Sequence, residues 1–186
     1  MEKRALRREL FARLRALPAE ERSDASTAIR ARLEQDPAFI AATTVFAYLS
    51  LPAEPDLGPL LAAHPGKRWC VSRVTEQDRL CFHHLPRLEE ASPGLLGIRQ
   101  PDPSRHPEVE PTEADLILVP GVGFDPATRA RLGRGRGHYD RFLEAALAGP
   151  KRPVLAGVLF SVQFGTIPVE PHDIPMDRLL SETGWS

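Results

Sequence analysis

The sequence predicts an α/β domain built on a largely parallel sheet. Helix-period and strand-period segments alternate along most of the chain. Two strand-length runs, DLILV at 115–119 and PVLAGVLF at 153–160, are apolar without alternation, which is the pattern of strands buried on both faces. Between them a glycine-rich stretch leads into an apolar-periodic segment, as a loop leads into a helix. At 186 residues the chain has the length of a single domain, 1–186, and can bury a real core.

The elements follow in order. Residues 2–16 carry Leu6, Leu10, Leu14 and Leu17 at helical spacing. Pro18-Ala-Glu-Glu opens a second helix that runs to about Gln35. TTVFAYL at 43–49 is β-branched and aromatic and stops before Pro52, so it reads as a strand. Residues 56–63 form a short helix, and 68–74 and 80–85 are two further strands. From Pro86 to Pro111 there are six prolines, which makes a long loop around the apolar Leu95-Leu-Gly-Ile98. The strand at 115–119, the glycine-rich loop, a helix over 138–148 and the strand at 153–160 come next. The tail is loop-rich as far as Arg178-Leu-Leu-Ser, and no internal repeat is present.

Composition excludes several classes. A net charge of −1 provides no global basic field for nucleic acid or a membrane surface. No run reaches the length of a membrane span. The first residues are charged and lack an apolar h-region, so they read as a first helix rather than a signal peptide, and the expected location is the cytoplasm. Cys70 and Cys81 fit no metal-binding spacing and are expected as small core residues in a reducing compartment.

The stretch Arg131-Leu-Gly-Arg-Gly-Arg-Gly-His-Tyr-Asp-Arg141 carries the strongest chemical signal. Alternating glycines permit positive φ and close approach of a ligand to the backbone. A following helix adds free N–H groups and a positive dipole end. With Arg134 and Arg136 the stretch suits a polyanion such as nucleotide phosphates, or it is an ordinary turn with solvated arginines. It is neither a P-loop nor a dinucleotide fingerprint. Asp140, one turn into the helix, suits a Mg²⁺ ion between carboxylate and phosphate.

The first helix holds a second signal. With Leu6 at zero, Leu17, Leu10, Leu14 and Phe11 fall at roughly 20°, 40°, 80° and 140°, and Lys3 and Arg7 at about 60° and 100° lie inside that arc. Either both cations snorkel at a fraying end, or they face an anion. Gln163, Glu170, His172 and Asp173 follow the strand at 153–160, and Glu54 follows the strand at 43–49. Both groups lie at strand carboxyl ends, where α/β sheets bind ligands. Each is also readable as a polar loop. His83 and His84 are adjacent on a strand and point to opposite faces, so they do not share a metal.

These segments together resemble the 5-formyltetrahydrofolate cyclo-ligase family over nearly the whole chain. The resemblance rests on Val119-Pro-Gly-Val-Gly-Phe-Asp-Pro126, on the loop from Arg131 to Arg141, and on the tail residues Pro168, Glu170, His172, Asp173 and Asp177. YLSLPAEPD around Glu54 and GIRQP at 97–101 are weaker matches. It implies a three-layer α/β/α sandwich and the conversion of 5-formyltetrahydrofolate to 5,10-methenyltetrahydrofolate, with ATP as co-substrate and Mg²⁺ as cofactor. It assigns the nucleotide to Lys3, Arg4, Ala5, Leu6 and Arg7 and to Arg131, Leu132, Gly133, Arg134, Gly135, Arg136, Gly137, His138 and Tyr139. The loop residues 134–138 are shared with the folate, alongside Leu49 and Glu54. Asp140 and Asp173 take the metal, and Arg134 and Arg136 are the catalytic cations. Relative to the family's pattern, His138 replaces a frequent Tyr and Gln100 a frequent acid. The expected partners are these small molecules, without nucleic acid or membrane, and the expected state is a monomer. The alternatives are a non-catalytic nucleotide- or folate-binding module, which would not need two magnesium acids, and an RNA-binding role for the basic first helix.

Overall fold

A computed structural model describes residues 2–94, 99–171 and 173–186. Leu95–Ile98 and His172 lie outside the described residues. The helices are α1 (Lys3–Ala16), α2 (Ala19–Glu34), α3 (Pro37–Ala41), α4 (Gly58–Ala63) and α5 (His138–Leu147). The strands are β1 (Thr44–Ala47), β2 (Arg68–Val74), β3 (Leu80–His84), β4 (Ser92–Pro93), β5 (Arg99–Gln100), β6 (Glu108–Val109), β7 (Leu116–Val119), β8 (Gly123–Phe124), β9 (Arg131–Leu132), β10 (Val154–Val158), β11 (Arg178–Ser181) and β12 (Gly184–Trp185).

Eight strands make the main sheet in the order β12-β11-β10-β7-β1-β2-β3-β6. The interior run β11-β10-β7-β1-β2 is parallel throughout, and β12, β3 and β6 add antiparallel margins. The unalternating segments sit where their pattern requires. β7 lies between β1 and β10, and every residue of β1 and β7 is buried. On one face Ile29 and Leu33 of α2, Phe39 of α3 and Leu60 and Leu61 of α4 pack on Val45, Ala47, Val71, Leu116, Leu118 and Val158. On the other, Phe142, Leu143 and Ala146 of α5 pack on Phe46, Phe82, Ile117, Val119 and Leu155. The result is an α/β/α arrangement around the predicted sheet.

Short elements hold by specific bonds rather than by periodicity. Asp36 caps α3, accepting from Ala38 N and Phe39 N at 2.9 and 3.1 Å, with Pro37 opening the helix. β8 and β9 form a hairpin inside the segment read as loop, so Arg131 and Leu132 begin the glycine-rich stretch as a strand. A small satellite core of Leu6 and Leu10 from α1 with Val122, Ala130, Leu132 and Ile167 fixes the hairpin against α1. Gly123 is the close approach in that contact: a Cβ there would lie 2.3 Å from a Leu10 methyl carbon.

Asp125 closes the hairpin and ties it to a distant loop. Its carboxylate accepts from Ala127 N at 2.9 Å, Thr128 N at 3.4 Å and Ile167 N at 3.1 Å, while the residue is 5% exposed. Burial opposes the charge, but the backbone donors outweigh it and hold the carboxyl below its ordinary range. We expect Asp125→Asn to lose about 1–2 kcal/mol of stability, since charge-assisted bonds exceed neutral ones by about that much. A depressed carboxyl stabilises the fold fully above its unfolded value of about 3.9, and the contribution disappears as pH falls through the lower folded value. Urea unfolding of both proteins at neutral pH and at acid pH checks this: the gap between them closes on acidification.

Candidate active site

The glycine-rich loop lies between β9 and α5. Gly135 and Gly137 have φ of 97° and 65°, in the left-handed region that side chains disfavour. Gly137 is the N-cap of α5, and no side chain caps that helix. Its first N–H groups are therefore left for another acceptor. Beside this helix end, Arg131 Nε, His138 Nε2 and Tyr139 Oη are buried without a hydrogen bond of ordinary geometry. Burial, then the negative charge of Glu54, pushes the Tyr139 phenol well above its usual range, so it stays protonated and able to donate.

α1 presents its inward cations to this loop. Arg7 Nε donates to Gly133 O at 2.8 Å, and Lys3 Nζ lies 2.9 Å from Asp173 Oδ2 and 3.3 Å from Glu170 Oε2. Burial opposes the Lys3 charge, but the hydrogen bonds to Asp173 and Glu170 prevail and raise its pKa. Lys3 and Arg7 thus turn inward as the wheel places them. Arg4 is exposed, Ala5 is half-buried, and Leu6 is in the satellite core.

Arg131, Arg134, Arg136 and His138 each lie against an acid. Arg131 is 8% exposed and donates to Asp140 Oδ1 at 2.7 Å. Arg134 donates to Glu54 Oε1 at 3.1 Å and lies over the Phe11 ring at 5.5 Å. Arg136 donates to Asp78 Oδ1 at 2.6 Å, which lowers the Asp78 pKa. His138 Nε2 lies 3.2 Å from the same carboxylate oxygen. Asp78 sits at the tip of the β2–β3 turn with φ of 59°, and the sequence reading did not single it out. Asp173 is thus bound to Lys3 and Asp140 to Arg131, while Arg7, one helical turn from Lys3, reaches the loop backbone at Gly133.

Glu54 is not a solvated loop acid. Its side chain is 10% exposed, and its second oxygen accepts from Leu51 N at 3.0 Å. Leu49, just beyond β1, is half-buried against the main core. Gln163 has a structural role instead: its amide donates to Gly121 O at 2.7 Å and accepts from Phe160 N at 2.8 Å, joining the β7 and β10 exits. His83 and His84 do not share a face. His83 Nε2 does meet Cys81 Sγ at 3.4 Å, two residues away and on its own side of the sheet, and both cysteines are buried as expected.

The fold is thus an α/β protein with a parallel central sheet, in which an arginine-bearing glycine loop leads into an uncapped helix start. The chain matches the 5-formyltetrahydrofolate cyclo-ligase family over residues 1–182. It is 34% identical to the 5-formyltetrahydrofolate cyclo-ligase of Mycolicibacterium smegmatis, with 96% of this chain and 93% of that protein covered. It is 28% identical to the mouse (Mus musculus) 5-formyltetrahydrofolate cyclo-ligase over 97% of this chain and 93% of that protein. The NMR structure of Aquifex aeolicus 5,10-methenyltetrahydrofolate synthetase superposes with a TM-score of 0.85 at 30% identity, covering 100% of this chain and 92% of that one. The chain belongs to the 5-formyltetrahydrofolate cyclo-ligase family, and it is an enzyme, a ligase of folate one-carbon metabolism.

Proposed function

We propose that this enzyme uses ATP and Mg²⁺ to convert 5-formyltetrahydrofolate to 5,10-methenyltetrahydrofolate, releasing ADP and phosphate, at the loop between β9 and α5. The observation that carries the reading is the uncapped start of α5 beside three buried polar atoms, Arg131 Nε, His138 Nε2 and Tyr139 Oη, none of which makes a hydrogen bond of ordinary geometry. Unpaired buried polar groups are costly, and a phosphorylated ligand would satisfy them.

The chemistry follows from the substrate. A formamide carbon is a poor electrophile because nitrogen donates into the carbonyl, but its oxygen is a usable nucleophile. Attack of that oxygen on the γ-phosphorus expels ADP and leaves phosphate as a leaving group on an iminium-like carbon. N10 then closes the five-membered ring, losing its proton, and phosphate departs; the fixed geometry of the two nitrogens favours closure. No protein nucleophile is needed. Arg134 and Arg136 neutralise charge developing on the transferred phosphoryl group, and Lys3 and Arg7 hold the remaining phosphates.

Asp140 and Asp173 suit Mg²⁺ because both are hard oxygen donors already turned toward the cations of the phosphate site. Bound there, the ion would supply positive charge against the phosphates. Leu49 and Glu54 serve the folate. Because Glu54 also holds Arg134, the folate acid and a phosphate cation are coupled before either substrate arrives.

Arg7→Ala should raise the KM for ATP roughly tenfold, the value of one charge-assisted contact at about 1.4 kcal/mol. The KM for the folate should stay nearly constant. Steady-state kinetics with each substrate varied checks this; equal effects on both would reduce Arg7 to packing. The function itself is tested by incubating the protein with 5-formyltetrahydrofolate, ATP and Mg²⁺ and following the methenyl chromophore. It should form with all three and fail when any one is omitted. A folded protein that yields no chromophore would return the chain to the non-catalytic module.

A further inference from the structure

We propose that Cys81, His83 and Glu108 form a zinc site at the far margin of the sheet, where the long proline-rich segment returns as β6. Among the described residues these are the one group of three metal-ligating side chains whose ligand atoms all lie within 4.8 Å of one another. The backbone explains the convergence. Cys81 and His83 are two apart on β3 and share a face, and His83 pairs directly with Glu108 across the β3–β6 ladder.

The donor geometry suits the ion. Cys81 Sγ lies 3.4 Å from His83 Nε2. A tetrahedral zinc ion about 2.3 Å from sulfur and about 2.0 Å from nitrogen sets those atoms about 3.5 Å apart, so the pair needs almost no movement. His83 Nδ1 lies 2.8 Å from His106 O, and a carbonyl only accepts, so the proton is on Nδ1. Nε2 then presents its lone pair toward the thiol, which is the support that metal-bound histidines receive from a second group. His106 is itself fixed, its Nδ1 accepting from Asp102 N at 3.1 Å and its Nε2 lying 3.2 Å from Glu90 Oε2.

Charge and access agree. Cys81 and His83 are buried at 2% and 4% exposure, while the Glu108 side chain opens to solvent and provides an entry path. One thiolate, one carboxylate and a neutral imidazole cancel the charge of Zn²⁺, leaving a fourth position for water. Glu108 now accepts from Arg79 at 2.5 and 2.9 Å. That guanidinium is mostly exposed, so releasing it to water costs little. Without metal, burial pushes the Cys81 thiol up, so it is no exposed nucleophile. The site would clamp β6 and the end of the 86–107 segment onto β3, independently of the phosphate site.

Co²⁺ is the probe, added to chelator-stripped protein under a reductant that contains no thiol. We expect a thiolate-to-cobalt charge-transfer absorption that saturates at one equivalent and is bleached by equimolar Zn²⁺. Cys81→Ser should abolish the band, and Cys70→Ser should keep it, because Cys70 lies on the opposite face of the sheet. Glu108→Gln, at an exposed position, should weaken Co²⁺ binding at least tenfold. Co²⁺ captured by Asp140 or Asp173 gives no such band, since neither contains sulfur. No band in the wild type, a band that survives in folded Cys81→Ser, or undiminished affinity in Glu108→Gln would each overturn the proposal.

Discussion

Arg134→Ala should lower kcat for methenyl formation roughly a thousandfold, the scale on which arginines act in phosphoryl transfer. At about 1.4 kcal/mol per decade this is about 4 kcal/mol of transition-state stabilisation. The guanidinium side chain is 49% exposed, and its described partners are Glu54 and the Phe11 ring. Its removal should therefore change unfolding stability by only about 1 kcal/mol or less. Single-turnover kinetics with saturating ATP, beside a thermal melt, separate the two effects. A large drop in melting temperature with kcat preserved would make Arg134 a strut for the β1 exit. Lysine at this position should restore only part of the rate, because a point charge cannot reproduce the planar fork.

The second large effect is expected at Glu54. Its carboxylate is held by Leu51 N and Arg134, at a depth where a solvated loop acid would not sit. A carboxylate so placed can accept paired N–H bonds from the pterin's amino-pyrimidinone edge. Glu54→Gln should weaken folate binding roughly ten- to a hundredfold, at about 1.4 kcal/mol per factor of ten. The direct binding of an ATP analogue should change far less. Arg134 loses a charged partner in this variant and is freer to meet phosphate, so any change in nucleotide affinity should be a small gain. Calorimetric titration with each ligand decides it: an intact folate affinity would limit Glu54 to holding Arg134.

Long periodic elements were legible in the sequence because their chemistry is local. The leucines of α1 mark its buried face and also turn Lys3 and Arg7 inward, so one periodicity located both a core contact and two inward-facing cations. The unalternating runs at β7 and β10 announced interior parallel strands. The two-residue strands and the five-residue α3 offered no period to read. The β8–β9 hairpin depends on the buried carboxylate of Asp125 and a glycine pressed against Leu10, and α3 depends on one Asp cap and one Pro.

The site divides the same way. Its glycines and arginines are contiguous and were visible with Asp140, but the acids that hold Arg134 and Arg136 come from distant elements. Glu54 reaches Arg134 across 80 residues and Asp78 reaches Arg136 across 58, through tertiary contacts that no local pattern encodes. Cys81 and His83 carried a readable strand spacing, whereas Glu108 joins them only because a long segment folds back along the sheet margin.

In the proposed mechanism the formyl oxygen is the nucleophile toward ATP and leaves with the phosphoryl group. Substrate labelled with ¹⁸O in the 5-formyl group, turned over with ATP and Mg²⁺ in ordinary water, tests it most directly. The label should appear in inorganic phosphate, one atom for each methenyl group formed, as read by mass spectrometry. Unlabelled phosphate alongside methenyl product would contradict it, because the formyl oxygen would then have left by a route that never joined it to phosphorus.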